Sequence, residues 1–342
     1  MPDRQPLMET LEARARRRDS RRDFFTQVAG AAAIGATALA ASAQAQAQTS
    51  PSPTPTATFT EADVLNFALN LEYLEANFYS FAATGAALAA ADTSGSVGTA
   101  GAATGGRAVG FKDALVAQYA REIAADELAH VRFLRSQFSD TTRAAQPAID
   151  LSVSATSAFS VAARAAGLIQ AGQSFDPYAS DENFLLGAFI FEDVGVTAYK
   201  GAAPLISNKV FVEAAAGILA VEAYHAAIIR SVLYRKGLAT PSLQLIEATT
   251  AISDARDTLD GKTATTDAVR GIAAEDDQGI ASTTTSDGTV SNIVPLNENG
   301  IAYSRSAGQV LNIVYLNAAA VSSGGFFPAG VNGNIKTSAA SA

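Results

Sequence analysis

Glu127-Leu128-Ala129-His130 and Glu222-Ala223-Tyr224-His225 decide the fold, and between them they hold the only two histidines of the chain. Within a helix, residues three apart rise about 4.5 Å and share a face, so the glutamate and histidine of each stretch reach toward one point. With 14 glutamates among 342 residues, chance sets a glutamate three positions before a given histidine roughly once in 25, and before both about once in 600. A helix that carries a carboxylate and an imidazole on one face is a candidate half of a metal site.

Working outward, Glu72 is followed seven residues later by Tyr79, and Glu192 seven residues later by Tyr199. Seven residues is close to two helical turns, so each glutamate shares a face with its tyrosine. The polar positions therefore read Glu-x6-Tyr, Glu-x-x-His, and then the same two patterns again, an internal duplication of a helix pair. Glu72 and Glu192 lie among apolar neighbours, where a lone carboxylate is costly unless it is paired or bound to a cation. Four acids converging in a bundle repel one another without such a cation. Glu75, one turn beyond Glu72, competes with it as the inward acid, and the match to Glu192–Tyr199 favours Glu72.

Apolar spacing sets out the helices. Val64, Phe67, Leu71, Leu74, Phe78 and Phe81 form a stripe at helical period, predicting a helix from about Thr60 to Ala83 with Thr58-x-x-Glu61 as a capping box. A second helix is expected over about 111–138, and a third from Ser180-Asp181 to just before Pro204, which cannot continue it. A fourth is expected over 208–236, stopped by Gly237. The short link between the third and fourth makes them antiparallel neighbours, while about 40 residues separate the second from the third, a single long crossover. A further helix is expected over 241–260. The rest, 261–342, is rich in glycine, serine and asparagine and is expected to be mixed or irregular.

These residues resemble the ferritin-like superfamily, all-α four-helix bundles in which one glutamate from each of two helices and a Glu-x-x-His from each of two others bind two metals. The resemblance covers about residues 60–237. It implies Glu72 and Glu192 as terminal ligands, Glu127 and Glu222 as bridging ligands, and His130 and His225 as nitrogen ligands of two iron or two manganese ions. Tyr79 and Tyr199 would hydrogen-bond the ligand carboxylates or donate an electron, although core aromatics are the commoner use of such tyrosines. Asp126, Asp193 and Glu122 are expected to be solvated rather than supporting groups. The tail, with Val310-Leu311-Asn312-Ile313-Val314-Tyr315 and Gly324-Gly325-Phe326-Phe327-Pro328, is similar to that of exported desiccation-related ferritin-like proteins. The Gly/Ala-rich insertion at 84–110 departs from compact ferritins and argues against a closed cage.

Composition narrows the chemistry. Without cysteine there is no disulfide, thiolate site or cysteine nucleophile, so any metal sits on oxygen and imidazole, a set suited to iron or manganese. Residues 1–43 hold seven arginines and five acids; the 17 basic and 28 acidic residues beyond them leave −11. An acidic body without a basic stripe argues against nucleic acid. Ser20-Arg21-Arg22-Asp23-Phe24-Phe25, an apolar run from Val28 to Ala41, and small-residue cleavage candidates near 41–47 together resemble a twin-arginine export signal. The apolar run is shorter than the roughly 20 residues a span requires; an uncleaved anchor is the alternative. Residues 48–59, with Pro51, Pro53 and Pro55, form an extended linker.

The expectation is thus a periplasmic or secreted protein, with no stable membrane span after signal cleavage and compatible with a homo-oligomer. Its partners would be metal ions and oxygen or peroxide, and its reaction the oxidation of ferrous iron or consumption of peroxide in stress protection. A dimanganese catalase-like enzyme and a non-enzymatic desiccation-related envelope protein are the rival readings.

Overall fold

The computed structural model describes residues 59–261, 266–273 and 276–341. The export signal expected over 1–47, and all of the linker but Phe59, lie outside the described residues.

Four long helices form the bundle: α1 (Glu61–Thr84), α3 (Ala114–Ser136), α5 (Asp181–Ala202) and α6 (Lys209–Ala239). Each begins at a side-chain cap. Thr60 accepts from the Asp63 amide while the Asp63 carboxylate takes the Thr60 N–H at 2.8 Å. Asp113, Ser180 and Asn208 cap α3, α5 and α6 in the same general way, satisfying amides that have no partner within the helix. The capping box is thus Thr60/Asp63 rather than Thr58/Glu61. Nor does Gly237 stop α6. A Cβ there would lie 2.9 Å from Ile246 Cγ1, so the glycine admits a close neighbour inside the helix, which ends only before Pro241.

Helix α1 packs along α3 and α5 along α6, and the two pairs meet chiefly through α1 and α5. Both α1 and α5 are buried almost all round, as helices apolar on every face must be. Bundle partners cover only one side of them; the insertion, the crossover and the extension cover the other.

The insertion holds the short helix α2 (Ala90–Thr93) and the strand β1 (Ala103–Thr104), which pairs in parallel with β2 (Ile149–Asp150) of the crossover, Ala103 opposite Ile149. Gly106 lies flat on Phe81, where a Cβ would come within 2.4 Å of the ring. The crossover continues through α4 (Ala158–Ala165), and α7 (Leu245–Asp260) follows the bundle. The extension contains a hairpin, β3 (Thr283–Thr285) with β4 (Gly288–Val290), and a buried helix, α8 (Ala307–Tyr315). Its Phe326 fills the gap between Phe159 and Phe191, with ring centroids 5.0 and 4.9 Å away. Phe78, Phe184 and Tyr178 extend this aromatic cluster, each such contact adding about 0.5–1.5 kcal/mol beyond area burial. Asn332 ties the layers together: it exchanges two hydrogen bonds with Asn70 on α1, both 2.8 Å, and donates to Thr99 and Ala145 carbonyls.

Candidate metal centre

The periodicities that formed the four helices also aim their polar residues inward. Glu72 from α1, Glu127 and His130 from α3, Glu192 from α5, and Glu222 and His225 from α6 converge at the bundle centre. They form two quartets, Glu72/Glu127/His130/Glu222 and Glu127/Glu192/Glu222/His225; within each, the donor atoms lie within 4.8 Å of one another. Glu127 and Glu222 belong to both. His130 Nδ1 stands 3.3 Å from Glu72 Oε2, 3.6 Å from Glu127 Oε2 and 3.5 Å from Glu222 Oε1. His225 Nδ1 stands 2.9 Å from Glu127 Oε1 and 3.6 Å from Glu192 Oε2.

Eight buried atoms of this cluster are close together yet make no aligned hydrogen bond: both oxygens of Glu127 and of Glu222, one of Glu72, one of Glu192, and the two Nδ1 atoms. The remaining oxygens of Glu72 and Glu192 are occupied. Tyr199 donates to Glu72 Oε1 and Tyr79 to Glu192 Oε1, so each tyrosine serves the glutamate of the other half. Buried polar atoms without partners are rare. Two carboxylates with both oxygens free and two with one oxygen free fit a pair of cations with two shared and two unshared glutamates. The residues present therefore fit a dimetal group, and the all-oxygen-and-imidazole donor set suits iron or manganese.

Electrostatics point the same way. Burial, with the charge of Glu127, raises Glu72 to about 7. Burial also lifts Glu192, to about 8, despite the opposing His225. Glu222 is pushed well above the carboxylate range by burial and by four neighbouring acids. Burial opposes the charge of Glu127, but His130 and His225 outweigh it and hold that carboxyl down at about 2. Burial likewise disfavours imidazolium at both histidines. Their carboxylates prevail, Glu127 and Glu72 taking His130 up to about 11 and Glu127 and Glu192 taking His225 up to about 9. The metal-free cluster thus gathers protons that cations would displace.

Supporting groups differ from the sequence expectation. Asp126, its side chain 45% exposed, accepts from His225 Nε2 at 3.2 Å and orients that ring. Asp193 is buried and pairs with Arg230 and Arg256, so it is not solvated; Glu122 is exposed as expected. Two further residues border the centre: Glu75, weighed in the sequence as the competitor of Glu72, and Gly195, which sequence reasoning missed. Glu75 is also buried, its carboxyl raised well above the usual range by burial and by Glu127, Glu192 and Glu72, but it falls outside both quartets. Across from it sits Gly195, where a Cβ would be 2.4 Å from Glu222 Oε2 and 3.4 Å from Glu75 Oε1. The duplication holds the signal: as Glu72 matches Glu192 and Tyr79 matches Tyr199, Glu75 matches Gly195. One half carries an extra carboxyl where the other keeps the space for Glu222.

The profile of the ferritin-like domain matches residues 60–235, the span of the four helices and all six converging residues. This chain belongs to the ferritin-like family. It is 33% identical over 210 residues to the desiccation-related protein PCC13-62 of Craterostigma plantagineum, an alignment covering 59% of this chain and 63% of that protein. It is 29% identical over 281 residues to the ferritin-like catalase Nec2 of Nesocodon mauritianus, covering 80% of this chain and 84% of the relative. The match to the first relative thus spans less than two thirds of its length. No solved structure is matched.

Proposed function

We propose that this protein is an exported dimetal oxidoreductase that consumes peroxide. Glu72, Glu127, His130, Glu192, Glu222 and His225 hold two iron or manganese ions. The observation that carries this reading is the set of eight unpartnered donor atoms, arranged as two quartets sharing Glu127 and Glu222. The likeness to a ferritin-like catalase over most of both chains supports it, as does the order of charge, apolar run and small residues at the N-terminus.

Two redox-active ions, when bound, store the electrons taken from one peroxide molecule and returned to a second. The chain does the rest. All four glutamates are fully or almost fully buried, and the most exposed donor, the His130 side chain, is 11% accessible, so the site keeps bulky reductants out. Tyr79 and Tyr199 hold Glu192 and Glu72 by their outer oxygens. Burial and those carboxylates raise both phenols well above their ordinary value, which keeps their protons in place. Glu75 retains a proton beside Glu222, available to a departing oxygen. A second reading, oxidation of ferrous iron, is favoured by Asp126, whose half-exposed carboxylate beside His225 invites cations toward the cluster.

The test is metal content and turnover of the purified mature protein beside His130→Ala/His225→Ala. About two ions per chain, with oxygen evolved from peroxide and both lost in the variant, are expected. Ferrous oxidation without oxygen evolution selects the second reading. A wild-type protein that stays metal-free after anaerobic reconstitution with iron or manganese overturns both.

A further inference from the structure

A second group of acids lies away from the bundle centre, where α7 meets the extension. Asp257 and Asp260 stand three apart on the last turn of α7 and so share a face; Asp276 comes from the extension. One carboxylate oxygen from each lies within 4.8 Å of the other two. Asp260 and Asp276 are 96% buried, and each spends one oxygen on Arg305, at 2.7 and 2.9 Å. Their other oxygens, Asp260 Oδ1 and Asp276 Oδ2, have no partner among the described residues. The Asp257 carboxylate takes no hydrogen bond among the described residues, and it is only partly covered, leaving the group one side open to solvent.

Among the described residues the surrounding charges do not balance. Asp193, Asp257, Asp260, Asp276 and Asp277 face Arg230, Arg256 and Arg305, which pair with four of the five acids. Counted over the described residues with every acid ionised, the excess is two negative charges, and it falls where the unpartnered oxygens are. A buried oxygen with no donor is costly, and two beside a third free carboxylate cost more through repulsion.

We propose that Asp257, Asp260 and Asp276 bind one calcium ion, which bonds α7 to the extension. Every donor is a carboxylate oxygen and no histidine belongs to the group, so the site takes a hard cation rather than the ions of the bundle centre. Calcium is favoured over magnesium. It accepts irregular and bidentate carboxylate geometry, with water filling the open side through Asp257, whereas magnesium demands a near-octahedral shell. One divalent ion cancels the excess charge and satisfies both buried oxygens. The site is independent of the proposed oxidoreductase chemistry.

Equilibrium dialysis of the full-length, chelator-treated protein against radioactive calcium reads the site directly. About one ion per chain is expected at a dissociation constant of roughly 0.1–1 mM, the range of extracellular calcium modules, together with a rise in the melting temperature. Asp257→Asn removes a donor outside the arginine pairs and leaves the fold intact by circular dichroism. It is expected to weaken binding about tenfold or more, while His130→Ala/His225→Ala binds as the wild type does. Wild-type protein that takes up no calcium at about 5 mM, or Asp257→Asn that binds as tightly as wild type, overturns the proposal. So does calcium lost with the histidine pair, which would place it in the bundle centre.

Discussion

At the bundle centre five glutamates, Glu72, Glu75, Glu127, Glu192 and Glu222, face two histidines; at the α7–extension junction five aspartates face three arginines. Both groups are buried, Asp257 at the edge of the second only in part, yet they handle negative charge differently. An arginine does not release its proton in a protein, so Arg230, Arg256 and Arg305 are permanent counter-ions fixed by geometry. Imidazole and carboxyl protons are exchangeable, and a metal that binds harder displaces them. The junction is therefore scaffold with one gap, and the centre is a socket. Burying acids does not by itself mark a functional site; the kind of positive charge opposite them does.

Single substitutions are expected to act with opposite sign in the two regions. Arg305→Met strips the counter-ion from Asp260, Asp276 and Asp277 and should cost about 3–5 kcal/mol in urea unfolding. Glu222→Gln should leave the metal-free protein at least as stable at pH 8, while abolishing metal uptake. Equal destabilisation by both would erase the contrast.

The next effect is of pH on the metal-free protein. Glu72 and Glu192 have folded values of about 7 and about 8, above the ordinary carboxyl value, and His130 and His225 of about 11 and about 9. Between about pH 5 and 9 the folded state therefore binds more protons than the unfolded state, and stability falls as pH rises. Glu127, held at about 2, acts in reverse, its contribution being lost only in strong acid. Thermal melts of chelated protein should show a higher midpoint at pH 5.5 than at pH 8.5, and loading with metal should flatten or invert the trend. A metal-free midpoint that rises with pH contradicts this account.

Smaller, and a test of the duplication itself, are Tyr79→Phe and Tyr199→Phe. Each unpairs one buried oxygen, on Glu192 and Glu72 respectively, at about 1–3 kcal/mol. Similar losses in chemical denaturation would show that the halves are energetically as well as geometrically alike; a gap of more than about 1 kcal/mol would break the likeness, with Glu75 opposite Gly195 the first place to seek its source.

The bundle was legible in the sequence because its information is local. Glu-x-x-His and Glu-x6-Tyr need only the helical period to put their residues on one face, and the helix ends follow from nearby caps and prolines. Legibility failed where the partner is distant or where one residue type has two uses. Asp193 looked solvated because nothing near it in sequence announces Arg230 and Arg256. Gly237 looked like a stop because a glycine that ends a helix and one that admits Ile246 are the same letter. Glu72 and Glu75 are both buried, and only the position of His130 on another helix separates them. The extension was opaque for a further reason: Phe326 and Asn332 act by fitting gaps in finished helices, and such fits leave no periodic trace.

The pair formed by Asn332 and Asn70 spans 262 residues of sequence, and that separation bears on how a newly synthesised chain reaches its final form. While the polypeptide is still emerging from the ribosome, the insertion and crossover can cover part of the outer side of α1, but the stretch around Asn70 waits for a segment not yet made. Contacts of such long range are formed late and slowly, and apolar surface left waiting for them invites aggregation. A nascent chain interrupted before residue 332 would present the surface of α1 around Asn70 to chaperones and proteases.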